Sequence, residues 1–168
     1  VGIGYTRRFR KLFKELYSKM IFISHRGNII GKDVRENAPD FIDEAIHRGY
    51  DVEIDIRYLN DELYLGHDRP DYKIDLEWLN ERTNKLWVHC KNLSAIEYFN
   101  NSEEHNLNYF WHDEDEVTLT SKGFIWAYPE KQPIKRSIAV LPELFDDDVR
   151  QCYGICSDVI QNYMRDWN

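Results

Sequence analysis

Residues 51–57 alternate with a period of two. Val52, Ile54 and Ile56 fall on one face, while Asp51, Glu53, Asp55 and Arg57 fall on the other. A strand of this kind hides branched aliphatics under a helical layer and aims its acids at the opposite side of the sheet. Just before it the period changes. Phe41, Ile42, Ala45 and Ile46 form a buried stripe behind Pro39, acids Asp40, Asp43 and Glu44 lie near the start, and His47 and Arg48 precede Gly49. These signals predict a helix over 37–49, capped by Asn37 or Ala38, with His47 a structural helix-end residue. Ahead of it, residues 20–24 read as a short buried strand that carries His25 and Arg26 at its carboxyl end, where Gly27 lets the chain turn.

The pattern continues in short units. Asn60-Asp61-Glu62 reads as a tight turn that returns Leu63-Tyr64-Leu65 as a hairpin arm ending at His67. A short helix over 75–82 buries Trp78 and Leu79. The strand over 86–91 then places Leu86, Val88 and Cys90 on one side and Trp87, His89 and Lys91 on the other. A minimal helix follows over 94–100, then strands over 108–112, 124–128, 137–141 and 154–157, and a last helix capped by Asp158. With the hairpin arm this makes about eight strands, and the expected fold is a compact α/β barrel with shortened helices. Residues 5–20 form an amphipathic pattern: Phe9, Leu12, Phe13, Leu16, Tyr17 and Met20 on one face, arginines and lysines on the other. Two readings are open, a helix that covers the bottom of the barrel and a peripheral contact with an anionic membrane surface. The domain reading is one unit, with residues 1–19 as an amphipathic helix packed on a 20–168 barrel.

Composition narrows the function. With 42% hydrophobic and 14% aromatic residues the chain can bury a sizeable core. The net charge of −8 argues against a nucleic-acid partner. Neither an apolar run of ~20 residues nor a signal-peptide pattern is visible. Cys90, Cys152 and Cys156 make an odd set without zinc-site spacing, which favours a reducing compartment. The expectation is a cytoplasmic protein, with membrane-surface association open through 5–20.

The candidate chemistry is concentrated in 22–68. His25 and His67 can move protons, Glu53 and Asp55 can hold a divalent cation, and Arg26 can grip an anionic oxygen. The ordered set His25-Arg26-Gly27, Glu36-Asn37-Ala38, Gly49 leading into Glu53 and Asp55, and Gly66-His67-Asp68 resembles the signature of the glycerophosphodiester phosphodiesterases. Two later pieces agree with it, the strand ending at His89-Cys90-Lys91 and the closing Gly154-Ile155-Cys156-Ser157-Asp158. The resemblance implies a (β/α)8 TIM-type barrel and metal-dependent hydrolysis of a small phosphodiester. It further implies acid and base roles for His25 and His67, charge stabilisation by Arg26 and Lys91, and a Mg²⁺ or Ca²⁺ ion on Glu53 and Asp55.

One position departs from that pattern. His89 stands where the resemblance implies a third carboxylate ligand. Imidazole suits Mn²⁺ or Zn²⁺ better than it suits Mg²⁺ or Ca²⁺. Three outcomes are open: His89 ligates and shifts the metal preference, water takes its place, or catalysis has been lost. Two further functions also stay open: a phospholipase D-like phosphodiesterase acting on lysophospholipid or sphingomyelin, and a non-catalytic phosphate-binding relative.

Overall fold

The alternating stretch becomes β2 (Asp51–Leu59), the centre of a ten-stranded mixed sheet in a computed structural model that describes residues 20–167. Its neighbours on one side are β1 (Ile21–His25) and, beyond the end of β1, the hairpin arm β3 (Glu62–Leu65) with β4 (Tyr72–Ile74). On the other side lie β5 (Leu86–Cys90) and β6 (Asn108–Trp111). Past β1 the sheet continues through β10 (Gly154–Ser157), β9 (Ser137–Val140) and β8 (Ile125–Ala127), with β7 (Val117–Leu119) antiparallel at the edge. The run β6-β5-β2-β1-β10-β9-β8 is parallel throughout.

The sheet curls but does not become the expected (β/α)8 barrel; it is a half-barrel. Among the described residues no ladder joins β6 to β7 or β8. The gap is crossed by the Ser121 turn, whose amide donates to the Tyr109 carbonyl at 2.8 Å, and by the Phe110 and Trp126 rings, 4.6 Å apart. Among the described residues the helical layer is equally incomplete, with four short helices: α1 (Pro39–His47), α2 (Leu76–Glu81), α3 (Leu93–Asn101) and α4 (Ile160–Trp167). The reason lies in the connections. Residues 128–136 between β8 and β9 contain Pro129 and Pro133, and the β9–β10 link holds only a 3₁₀ turn (Pro142–Leu144). Neither can form a crossover helix. The strands β4 and β7 lie outside the sequence reading because each is three residues long without a buried alternating face. The amphipathic pattern over 5–20 falls outside the described residues, Met20 excepted. Among the described residues no helix is long and apolar enough to cross a membrane.

Strand alternation divides the core in two. Val52, Ile54, Ile56, Leu86, Val88 and Ile155 point outward and pack under Ile42, Ala45, Leu79, Phe99 and Ile160 of the helices. Ile23, Trp87, Phe110, Trp126, Ile138 and Cys156 point into the concave side and fill it. Caps fix the helix starts: Asp75 accepts from the Trp78 amide and Asn92 from the Ala95 amide, while Pro39 opens α1 behind Ala38. The hairpin turn has Asn60 at φ 51° and Asp61 at φ 61°, the paired left-handed geometry of a two-residue type I′ turn.

The aromatic filling carries the curl, so Phe110→Ala is expected to cost about 3–5 kcal/mol, as for deletion of a buried ring. Urea denaturation followed by tryptophan fluorescence checks this. A loss under about 1 kcal/mol would place the ring outside the core.

Candidate functional site

On the concave side the next inward positions above the apolar filling are polar. They are His25 after Ile23, Glu53 and Asp55 on β2, His89 after Trp87, His112 after Phe110, Tyr128 after Trp126 and Asp158 after Cys156. Register brings His25 beside Glu53 and Asp55 beside His89. A cavity of about 200 Å³ opens over this layer, lined by His25, Arg26, Glu53, His67, His89 and His112 and walled by Trp126, Tyr128 and Leu141. A larger groove of about 970 Å³ runs along α3 past Tyr58, Asp61 and Tyr98. It gathers none of the groups just named, and the chemistry is in the smaller cavity.

Glu53 and Asp55 are buried side by side, 2% and 0% exposed, which is a costly place for two carboxylates unless positive charge surrounds them. Arg26 and Lys91 supply it, and His25 and His89 add to it when protonated. Arg26 Nε lies 2.8 Å from Asp55 Oδ2, with Nη1 held by Glu36 at 3.1 Å. His89 Nδ1 stands 3.2 Å from Asp55 Oδ1 and 3.6 Å from Glu53 Oε1. His25 Nε2 is 3.8 Å from Glu53 Oε2, and Lys91 Nζ is 4.0 Å from Asp55 Oδ1. The approaches to Glu53 and Asp55 are too long or too far off line for hydrogen bonds and act as charge contacts. Glu53 Oε2 and Asp55 Oδ1 keep no hydrogen-bond partner among the described residues. Burial alone would raise Asp55, but contact with His89 and the charge of Arg26 hold it well below the ordinary carboxylate range.

Local structure places each group. β1 ends at His25, so the amide of Asp55 has no strand to meet on that side. Asn37 takes the position instead, its Oδ1 accepting from Asp55 N and its Nδ2 donating to Asp55 Oδ2, both at 2.9 Å. This requires a compact loop, and Arg26 (φ 56°) and Asn37 (φ 65°) both take left-handed backbone to make it. Gly27 must be glycine: its φ is +95°, and a Cβ there would come within 2.5 Å of Phe41. Gly66 is tighter still, since a Cβ would lie 2.0 Å from the Arg69 carbonyl. That turn delivers His67 to the cavity mouth, where Nδ1 donates to Asp68 and Arg57 holds the His67 carbonyl at 2.6 Å.

His25 Nδ1 donates to Asp158 Oδ1 at 2.7 Å, and Asn28 braces the same oxygen at 2.8 Å. Asp158 therefore orients His25 so that Nε2 faces the cavity. Burial pulls the His25 pKa down, but the bond to Asp158 and the charge of Glu53 outweigh it and raise it above its ordinary value. The sequence reading made Asp158 a helix cap and Asn37 one choice for another. Both are site residues instead. Parity from Cys156 points Asp158 inward, and parity from Phe110 does the same for His112, so strand alternation carried the signal for both. His47 is the helix-end residue expected, bonded to the Asp43 carbonyl.

Glu53, Asp55 and His89 each offer one ligand atom, all within 4.8 Å of one another. His89 Nε2 donates to the His112 carbonyl at 2.9 Å, which leaves Nδ1 facing the two carboxylates. Two carboxylate oxygens without partners and one directed imidazole nitrogen fit a divalent ion. Comparison with protein-family models, with curated proteins and with solved structures gives no match for this chain.

Without an ion, burial lowers the His89 pKa, but contact with Asp55 and Glu53 overrides this and pushes it up to about 9. A ligand imidazole must lose its Nδ1 proton. Divalent binding at pH 7 is therefore expected to release about one proton, the release shrinking and the affinity rising as pH approaches that value. Calorimetry in buffers of different ionisation enthalpy measures the release. A value near zero would remove His89 from the ligand set.

Proposed function

We propose that this protein is a metal-dependent phosphodiester hydrolase of the kind its motifs resemble, the glycerophosphodiester phosphodiesterases. The observation that carries the reading is the Glu53, Asp55 and His89 cluster, with buried unpaired carboxylate oxygens, opening into one cavity with His25, Arg26 and His67. A divalent ion held there would bind a phosphoryl oxygen and lower the pKa of a nucleophilic hydroxyl or water. The residues of the chain supply the rest. His25, oriented by Asp158, and His67, at the mouth, exchange protons with the nucleophile and the departing alkoxide. Arg26 and Lys91 stand beside Asp55 and stabilise negative charge growing on the phosphoryl group.

The size of the cavity favours a diester with a small alcohol group over one whose acyl chain must be enclosed. An acyl chain would have to lie outside the cavity, so lysophospholipid is the less favoured substrate. The three cysteines are free and suit a reducing compartment.

Turnover of a panel of small phosphodiesters with Mg²⁺, Ca²⁺, Mn²⁺ and Zn²⁺ tests the assignment. Activity is expected with at least one ion, and His25→Ala and His67→Ala should each lower kcat by about 10²–10⁴-fold while the fold persists. Asp158→Asn should lower kcat with less effect on KM, because it removes the acceptor that fixes the His25 tautomer. An active His25→Ala or His67→Ala would take that residue out of the mechanism. A parent protein inactive on every diester and ion would overturn the hydrolase reading.

A further inference from the structure

The link between β9 and β10 forms no crossover helix, yet it reaches the site. The parallel ladder of these strands ends where the Leu141 amide donates to the Cys156 carbonyl at 2.7 Å. The next rung of such a ladder would carry the Asp158 amide to the Leu141 carbonyl. Leu141 leaves that path: it takes left-handed backbone (φ 44°), and its carbonyl accepts from the Leu144 amide in the 3₁₀ turn. Glu143 fills the vacated place. Its Oε1 accepts from the Asp158 amide at 3.1 Å and from the Ser157 hydroxyl at 2.8 Å. Ser157 is fully buried, and its Oγ accepts in turn from the Val159 amide at 2.9 Å.

These bonds act at the residue that orients His25. Register with β1 ends at Ser24 and Ser157, and register with β9 ends at Val140 and Cys156, so Asp158 lies just past the sheet on both sides. Its Oδ1 nevertheless has to meet His25 Nδ1 at 2.7 Å and Asn28 Nδ2 at 2.8 Å. A backbone amide beyond its last rung needs another acceptor. Across the polar layer Asp55 has the same need, and the side chain of Asn37 meets it. Glu143 is the counterpart on β10. A left-handed leucine is strained and persists only where its surroundings hold it, and here the turn it makes brings Glu143 back to the end of β10.

We propose that Glu143 is a positioning residue: by holding the backbone of Ser157 and Asp158 it fixes the carboxylate that directs His25 Nε2 into the cavity. Its consequence for turnover rests on the phosphodiester reading above. Glu143 does not itself line the cavity, and it lies outside the group whose ligand atoms converge. It therefore acts through Asp158 and not on substrate or ion. Oε1 makes both bonds, while Oε2 is buried and has no hydrogen-bond partner among the described residues. What the site requires from residue 143 is thus one acceptor oxygen, which an amide also offers. A brace that served stability alone would leave His25 as it is when removed, and the two roles separate on that point.

The test reads the His25 Nδ1 proton by NMR of the ¹⁵N-histidine-labelled, metal-free protein, its resonance identified by its loss in His25→Ala. A proton held in a short bond to a buried carboxylate resonates downfield and exchanges slowly with water. Glu143→Leu, which removes the acceptor, should lose the resonance to exchange, and Glu143→Gln, which keeps one, should retain it. If Glu143→Leu does not fold, Ser157→Ala carries the test: it removes the hydroxyl shared with Glu143 and Val159 and should speed the exchange about tenfold. On a diester the parent turns over, Glu143→Leu should lower kcat by up to about 10²-fold with KM little changed. In an Asp158→Ala background the same change should cost nothing further. The proposal is overturned if the parent shows no such resonance, if Glu143→Leu or Ser157→Ala exchanges as the parent does, if Glu143→Gln loses the resonance as Glu143→Leu does, or if the kcat losses at 143 and 158 multiply. A parent that turns over no diester brings down the phosphodiester reading alone, and the NMR comparison still decides whether Glu143 positions His25.

Discussion

Two carboxylates two residues apart on the buried face of one strand set the terms for the rest of the structure. Desolvating a charge costs several kcal/mol even after relaxation, and Glu53 and Asp55 are desolvated together. Positive charge must therefore converge on them from several directions. Arg26 arrives from the end of β1, His89 and Lys91 from the end of β5, and His25 from the neighbouring strand. Asn37 meets the backbone and side chain of Asp55 at once. The left-handed backbone at Arg26 and Asn37, and the glycine between Arg26 and Asn28, follow from bringing the 26–38 loop close enough to do this.

The incomplete barrel is compatible with that arrangement because the site depends on only part of the sheet. Its acids and histidines come from β1, β2, β5 and the residues that follow β3, β6 and β10. The helices lie outside that same region, on the outward faces of the strands. On the far side, β8 and β9 contribute mainly the uncharged wall and the floor, through Trp126, Tyr128, Ile138 and Val140. Trp87, Phe110 and Trp126 fill the space that a fuller ring of strands would enclose, and they isolate the polar layer from below.

Much of the site was legible in the sequence because a strand's period of two is rigid. Once 51–57 and 86–91 are strands, Glu53, Asp55 and His89 must share a face, and the Asn60-Asp61 turn returns the chain toward His67. The helix over 37–49 was equally plain from Pro39, its charge distribution and Gly49. Closure of the sheet was not legible. Whether seven parallel strands form a ring depends on curvature and on connections such as 128–136, and local pattern is silent on both. The partners of His25 were hidden for a different reason. Asp158 just ahead of a helix has the local signature of a cap, and only the β1–β10 pairing reveals that it sits beside His25. His112 was accessible by parity from Phe110, but an unpaired nitrogen is a fact about surroundings and leaves no trace in sequence.

The central claim is that the buried charge cluster is a cation site, and locating the ion tests it most directly. A crystal grown with Mn²⁺ and measured at the manganese absorption edge should show one strong anomalous peak at ~2.0–2.6 Å from a Glu53 oxygen, Asp55 Oδ1 and His89 Nδ1. A map with no peak there at saturating Mn²⁺, with His89 still directed at Asp55, would contradict the claim and make the cluster a self-neutralised ion-pair network.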